Sequence, residues 1–454
     1  MSDERRDDEG LSAAKAVAEM RAGRLQSEAL LDACLAVVDQ REGEVQAWTA
    51  LDRDHARAQA RTADEAHRIG ASLGPLHGLP VGVKDIIDTR ALPTENGTPF
   101  CRGRQPGRDA SVVAQLQQAG AYVMGKTVTT ELAVYSPGKT RNPHDPGRTP
   151  GGSSSGSAAA VAAGMVPAAL GSQTNGSVIR PASFCGVVGY KPTHGLMSRT
   201  GVLSQSPFLD TLGVFAGSVE DAALLAGSLM TYDPLDPDMV AAPPPALYEI
   251  CCEEPPLSPR FAFVEGPGWP KCEETTREAF SELAEALGEL CQPVGLSERF
   301  DKGVDLHRTI MLADLAKSFA AFYERDASLL SDTLRGMIEE GQKIAAVDYN
   351  RAREWRVIYN DALDELFDEV DAILTPATLG EAPQGLEATG DPTCCTLWTF
   401  CGTPAISLPL LEGPNGMPLG VQLVGRRGDD ARLLRTARWL VGHLRALAAE
   451  SEAA

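Results

Sequence analysis

The sequence predicts an α/β protein built on one mostly parallel or mixed β-sheet. Three observations carry that expectation. Short apolar runs rich in β-branched residues recur at 80–87, 121–124, 166–170 and 187–190, with strand composition and turn residues at their borders. Segments with apolar residues at helical spacing, 110–119 and 156–163, lie between them. Strand patterns return near the other end, at 372–375, 405–408 and 420–424, with no internal repeat. That arrangement argues for one sheet assembled from distant segments, not two tandem domains.

Taken in order, N-terminal helices fill about 10–70. Leu11–Met20 and Ser27–Val38 carry apolar residues at helical spacing, Ser27 serves as an N-cap, and Ala47–Ile69 continues the pattern. The alternating strands and helices occupy about 75–230. Near their end Ser218-Val-Glu-Asp221 is a capping box that opens a helix reaching Leu229. Residues 232–259, rich in proline and acid, read as a long connection. A more variable helical region spans about 236–370, with helices from about 274. A return to the sheet fills about 371–450 and ends in the amphipathic helix Asp430–Ala449.

Composition narrows the function. No run reaches the roughly 18 apolar residues of a membrane span, and Met1–Glu9 is charged where a signal peptide is apolar. A cytoplasmic protein is expected. The net charge of −21, with no lysine or arginine cluster, argues against nucleic-acid and membrane partners. Ten cysteines lack any Cys-x-x-Cys spacing, and seven histidines lie far apart. Free thiols in a reducing compartment are expected, without metal or cofactor.

Three motifs mislead. Gly120-Ala-Tyr-Val-Met-Gly-Lys-Thr127 spells a phosphate-binding loop, but the residues between its glycines form a strand, and a strand cannot curl around a phosphate. Gly152-Ser-Ser-Ser-Gly156 spells a nucleophile elbow, but Arg141–Pro150 before it is no strand, and His443 lies inside a helix pattern. Ser136-Pro-Gly-Lys139 lacks the helical turn that would bring its serine and lysine together.

Three other segments supply acyl-transfer chemistry. Lys84 lies in the apolar run Leu79–Ile87. Burial there lowers an ammonium's pKa and makes a general base; the alternative is a lysine paired with Asp85 and pointing outward. Ser177 follows Gln173-Thr-Asn-Gly176, a turn whose successive N–H groups can gather around an oxyanion. The alternative is an incidental serine in a turn. Gly151-Gly-Ser-Ser-Ser-Gly-Ser157 offers a hydroxyl for proton relay.

These segments resemble the amidase signature family. The resemblance rests on Gly78-Leu-Pro-Val-Gly-Val-Lys-Asp85, on Gly151–Ala162, on Gly171–Gly186 and on Gly189-Tyr-Lys-Pro-Thr193. Asp371–Pro376 and Gly420–Gly425 extend it over nearly the whole chain, most weakly at about 236–370. It implies a central mixed sheet of about ten strands covered by helices on both sides. It implies a catalytic triad of Lys84, Ser153 after a cis peptide bond, and nucleophilic Ser177. An oxyanion hole falls on the backbone of Thr174, Asn175, Gly176 and Ser177, with Ser154 and Arg180 as substrate contacts. For Arg180 the alternative is an internal brace of the loop. Many members carry Asp-Thr-Gly-Gly-Ser-Ile-Arg where this chain has Gln173, Asn175 and an arginine one place later. Substrate preference is therefore not carried over from that form.

The resemblance implies an amidase that hydrolyses a small carboxamide through a serine acyl-enzyme, needs no cofactor, and forms a homodimer, an assembly common in the family. A second reading is the A subunit of an aminoacyl-tRNA amidotransferase, a glutaminase working with partner subunits. A third is a non-catalytic binding protein on the same fold.

Overall fold

A computed structural model describes residues 12–453. Its strands are β1 (Trp48–Ala50), β2 (Pro80–Lys84), β3 (Tyr122–Thr127), β4 (Ala168–Gln173), β5 (Val188–Lys191), β6 (Thr211–Ala216), β7 (Phe261–Phe263), β8 (Cys291–Pro293), β9 (Ala372–Pro376), β10 (Ala405–Glu412) and β11 (Pro418–Val424). They form one 11-stranded sheet in the order β1-β3-β2-β4-β6-β5-β10-β11-β9-β7-β8. β3, β2 and β4 run parallel. β4, β6, β5, β10, β11 and β9 pair antiparallel in succession, and β9, β7 and β8 are again parallel. The sheet is mixed, as the sequence predicts, and it joins strands from both ends of the chain.

Helices bury both faces of the sheet, and successive residues of one strand enter different cores. Ala372 and Leu374 of β9 join one apolar cluster, Ile373 between them the other. The period-2 alternation of side chains across a strand produces that split. One core takes the helices Ala13–Arg21, Ser27–Val45, Ser155–Ala162 and Val219–Gly227. The other takes Gly303–Ser318, Asp332–Gly341, Ala346–Phe367 and Thr393–Cys401.

The structure corrects several expectations. Leu11 lies outside the described residues. Ser27 is the first helical residue, not the cap. Its hydroxyl donates to Gly78 O at 2.7 Å, and Asp64, from another helix, accepts the N–H groups of Ser27 and Glu28 at 2.7 and 3.1 Å. Residues 47–69 are not one helix, because Trp48–Ala50 pairs with β3 before the helix Arg53–Arg68 begins. The helix opened by Ser218 stops at Gly227. Ser218 Oγ accepts from Asp221 N at 3.1 Å, while the Asp221 carboxylate accepts from Ser12 Oγ (3.0 Å) and Ala14 N (2.7 Å) at the start of the first helix. The helical region 236–370 contributes β7 and β8 to the sheet. β3 runs through Gly125-Lys126-Thr127, so the phosphate-loop lookalike is strand to its end.

Candidate active site

β2 delivers Lys84 at its last residue, and the side chain is wholly buried. Its Nζ donates to Ser153 Oγ at 2.7 Å and to Ser172 Oγ at 2.9 Å. Ser172 reaches it because β4 lies parallel beside β2, with Val83 paired to Leu170. Burial holds the Lys84 ammonium well below its ordinary pKa, and the negative charge of Asp210 opposes that shift only in part. Asp85, the counterion offered by the sequence, pairs with Lys126 of β3 at 3.1 Å.

The peptide bond between Gly152 and Ser153 is cis. Arg180 Nη2 donates to Gly152 O at 2.7 Å and to Thr389 Oγ1 at 3.1 Å, and Nη1 donates to Gly390 O at 2.9 Å. Buried, with both terminal nitrogens bonded to these acceptors, Arg180 braces the serine loop. Ser154 is turned inward as well. Its Oγ accepts from Ser172 N at 3.2 Å and donates to Ser172 O at 3.1 Å, fastening the serine loop to β4. Ser154 Oγ and the two terminal nitrogens of Arg180 thus bond within the fold, while Arg180 Nε has no hydrogen-bond partner among the described residues.

Ser177 sits in the turn between β4 and the helix Ile179–Cys185, and it remains 9% exposed. The turn is held by its carbonyls. Thr174 O accepts from His307 Nε2 at 2.9 Å, Asn175 O from Thr399 Oγ1, and Gly176 O from Arg180 N at 2.9 Å. Burial lowers His307 to about 4, so its ring is neutral near pH 7 and donates from the nitrogen facing the carbonyl. Gln173 Oε1 accepts from Val178 N at 2.8 Å and Ile179 N at 3.0 Å, capping the helix start. Among the described residues, the N–H groups of Thr174, Asn175, Gly176 and Ser177 donate to no protein acceptor. A turn with tied carbonyls and free amides can receive an oxyanion.

Side chains fix the same turn from three directions. Asn175 Nδ2 donates to Tyr135 Oη at 3.0 Å and its Oδ1 accepts from Thr396 Oγ1 at 2.7 Å. Thr174 Oγ1 donates to Asp210 Oδ1 at 2.6 Å. Gln173 Nε2 donates to Thr399 Oγ1 at 2.9 Å. A Cβ on Gly176 would fit tightly, 3.1 Å from Pro392 Cβ and 3.2 Å from Cys395 Sγ, and these neighbours would have to give by a few tenths of an ångström. On the lysine side a cavity of about 240 Å³ opens, its wall including Ser172, Thr174, Asp210, Ile86, Ala133 and Leu203.

Ser172, Asp210, His307, Thr396 and Thr399 escape the sequence reading. One signal for them exists. Thr396 and Thr399 stand three residues apart on one helix, which places two hydroxyls on one face.

The site thus joins a buried lysine bonded to two serine hydroxyls with a neighbouring turn of amides, on a mixed α/β sheet. The Amidase family profile matches residues 29–434. The chain belongs to the amidase family, enzymes that cleave amide carbon–nitrogen bonds. It is 34% identical to the A subunit of the glutamyl-tRNA(Gln) amidotransferase from Chloroflexus aggregans, over 92% of this chain and 93% of that protein. Among solved structures it is similar to the peptide amidase of Stenotrophomonas maltophilia, with 29% identity, a TM-score of 0.81, and coverage of 96% and 97% of the two chains. It is also similar, at 29% identity and a TM-score of 0.89 over 95% of this chain and 98% of the other, to a chain from a vestigial protein complex linked to the origins of an s-triazine catabolic enzyme.

Proposed function

We propose that this enzyme hydrolyses the amide bond of a small carboxamide through an acyl-enzyme on Ser177, with Lys84 as base and Ser153 as proton relay. The observation that carries this reading is the setting of Lys84: wholly buried, bonded to two hydroxyls, and, among the described residues, without a carboxylate in contact. Burial holds its pKa well below the ordinary lysine value, which favours the neutral amine that can take a proton. Lys84 accepts the Ser153 proton as Ser153 accepts that of Ser177. Ser177 Oγ bonds to the amide carbon, and the developing oxyanion enters the turn of amides 174–177, where one donor is typically worth about 3–4 kcal/mol. The carbon–nitrogen bond breaks as Ser153 returns the proton to the leaving amine. Water, deprotonated by the same pair, then cleaves the ester and releases the acid.

The test is a panel of small amides with the acyl group trapped and located by mass spectrometry. The expected mass increase sits on the peptide holding Ser177 and vanishes in Ser177→Ala along with turnover. Substantial turnover by that variant, with unchanged folding, refutes the assignment.

The names of the curated relatives favour a second reading, that this chain is the A subunit of an aminoacyl-tRNA amidotransferase. Assays of the isolated chain separate the two. Hydrolysis of amides without any partner supports the stand-alone enzyme, whereas glutamine hydrolysis that appears only with partner subunits supports the other.

A further inference from the structure

We propose that Cys272 and Cys394 form a peroxide-sensitive dithiol whose oxidation to a disulfide displaces the helix that clamps the oxyanion turn and slows the enzyme. The effect on turnover rests on the amidase reading; the disulfide does not.

The two cysteines are far apart in sequence, and both thiols converge on Gly268. Cys272 Sγ donates to Gly268 O at 3.6 Å, and a Cβ on Gly268 would lie 2.6 Å from Cys394 Sγ. Interaction with the neighbouring thiol lowers Cys272 from its ordinary value and raises Cys394 well above it. Cys272 is thereby the readier thiolate and Cys394 the resolving partner. They keep 4% and 7% exposure, whereas Cys185, Cys395 and Cys401 have none. Lys271 Nζ, bonded to Asp391 Oδ2 (3.4 Å) and Thr393 Oγ1 (3.3 Å), already ties the two segments together.

Cys394 is the second residue of the helix Thr393–Cys401. The residues after it hold the turn: Cys395 packs on Gly176, Thr396 bonds the Asn175 side chain, and Thr399 bonds the Asn175 carbonyl. Hydrogen peroxide is the oxidant. The Cys272 thiolate attacks its oxygen, the O–O bond breaks, and a sulfenic acid and one hydroxide form. Cys394 sulfur then attacks the sulfenic sulfur and expels the second oxygen as water. The thiols lose two electrons and the peroxide becomes two waters. Bonding draws the sulfurs to about 2.05 Å, pulling the N-terminal end of the helix toward Gly268. Misplacement of catalytic groups by about an ångström costs up to about 100-fold in rate.

The experiment treats the full chain with hydrogen peroxide, digests it without reductant, and measures amide turnover in parallel. Expected are a Cys272–Cys394 linked peptide two hydrogens lighter than its parts, a turnover about tenfold lower or more, and recovery of both with dithiothreitol. Cys272→Ser should keep the basal rate and lose the peroxide response. Absence of the linked peptide overturns the proposal, as does a linked peptide with unchanged turnover or equal peroxide inhibition of Cys272→Ser. If the reduced protein turns over no amide at all, the amidase reading fails by itself, and the linked peptide still decides the dithiol.

Discussion

Lys84 and Lys126 lie on adjacent strands of the same sheet, both wholly buried, yet their surroundings differ in kind. The register pairs Val83 with Lys126 and Lys84 with Thr127, so the two lysines point to opposite faces. On one face Lys126 meets Asp85 at 3.1 Å and Thr94 Oγ1 at 2.6 Å. On the other, Lys84 meets two serine hydroxyls. Burial lowers both ammonium pKa values, but only Lys126 has a carboxylate in contact to oppose it. The same residue at the same depth is thus a structural cation on one face and a candidate base on the other. The neighbour decides, not the burial.

The largest expected effect breaks this contrast at the lysines themselves. Lys84→Ala should lower the turnover rate by about 10³-fold or more while leaving thermal melting close to the parent. Lys126→Ala should do the reverse. It strands Asp85 in the interior, a loss typically of about 3–5 kcal/mol, and the rate per folded molecule should barely change. Measuring melting and rate for both variants decides the matter. A slow but stable Lys126→Ala would show that the faces are not separate.

A smaller effect sharpens the contrast through pH. In the proposed mechanism the neutral Lys84 amine is the active form, so the rate should rise with pH through its lowered pKa and level off well below the ordinary lysine value. Below that ordinary value the unfolded chain binds a proton at Lys84 that the native chain resists. Stability from this group therefore climbs with pH and is lost as pH falls. Asp210 raises the Lys84 pKa, so Asp210→Asn should move the rising limb of the rate profile to lower pH. An unmoved or higher limb contradicts the coupling.

The alternation that separates the lysines is already written in the sequence. That alternation ends at Lys84, the last residue of β2, and Asp85 lies in the turn beyond it, so the pairing of the two stays open in the sequence. Lys84, Ser153 and Ser177 can be put forward as a triad from sequence because each sits in a short glycine-rich or apolar string whose meaning is local. The clamp is not legible in this way. Thr393–Cys401 is buried all round, so apart from the spacing of Thr396 and Thr399 no contrast of buried and exposed faces marks its period. β6, buried on both faces, has no alternation to announce it. β1, β7 and β8 have three residues each, too few for a pattern. Ser27 looks like a cap because caps are read locally, whereas its helix takes Asp64 from a distant one.

The smallest effect concerns how the serine loop is fastened. Ser154 Oγ is the sole side-chain partner of both the N–H and the C=O of Ser172, among the described residues. Ser154→Ala should leave a buried backbone donor without its acceptor, at a cost of about 1–3 kcal/mol. Because Ser172 also holds Lys84 at 2.9 Å, loosening β4 at this point reaches the base without removing any group of the relay. The expected result is a lower melting temperature with a rate within about tenfold of the parent, the loss falling on kcat and not on KM. If substrate touched Ser154, KM would rise instead, so one saturation curve separates a fastener from a binding residue.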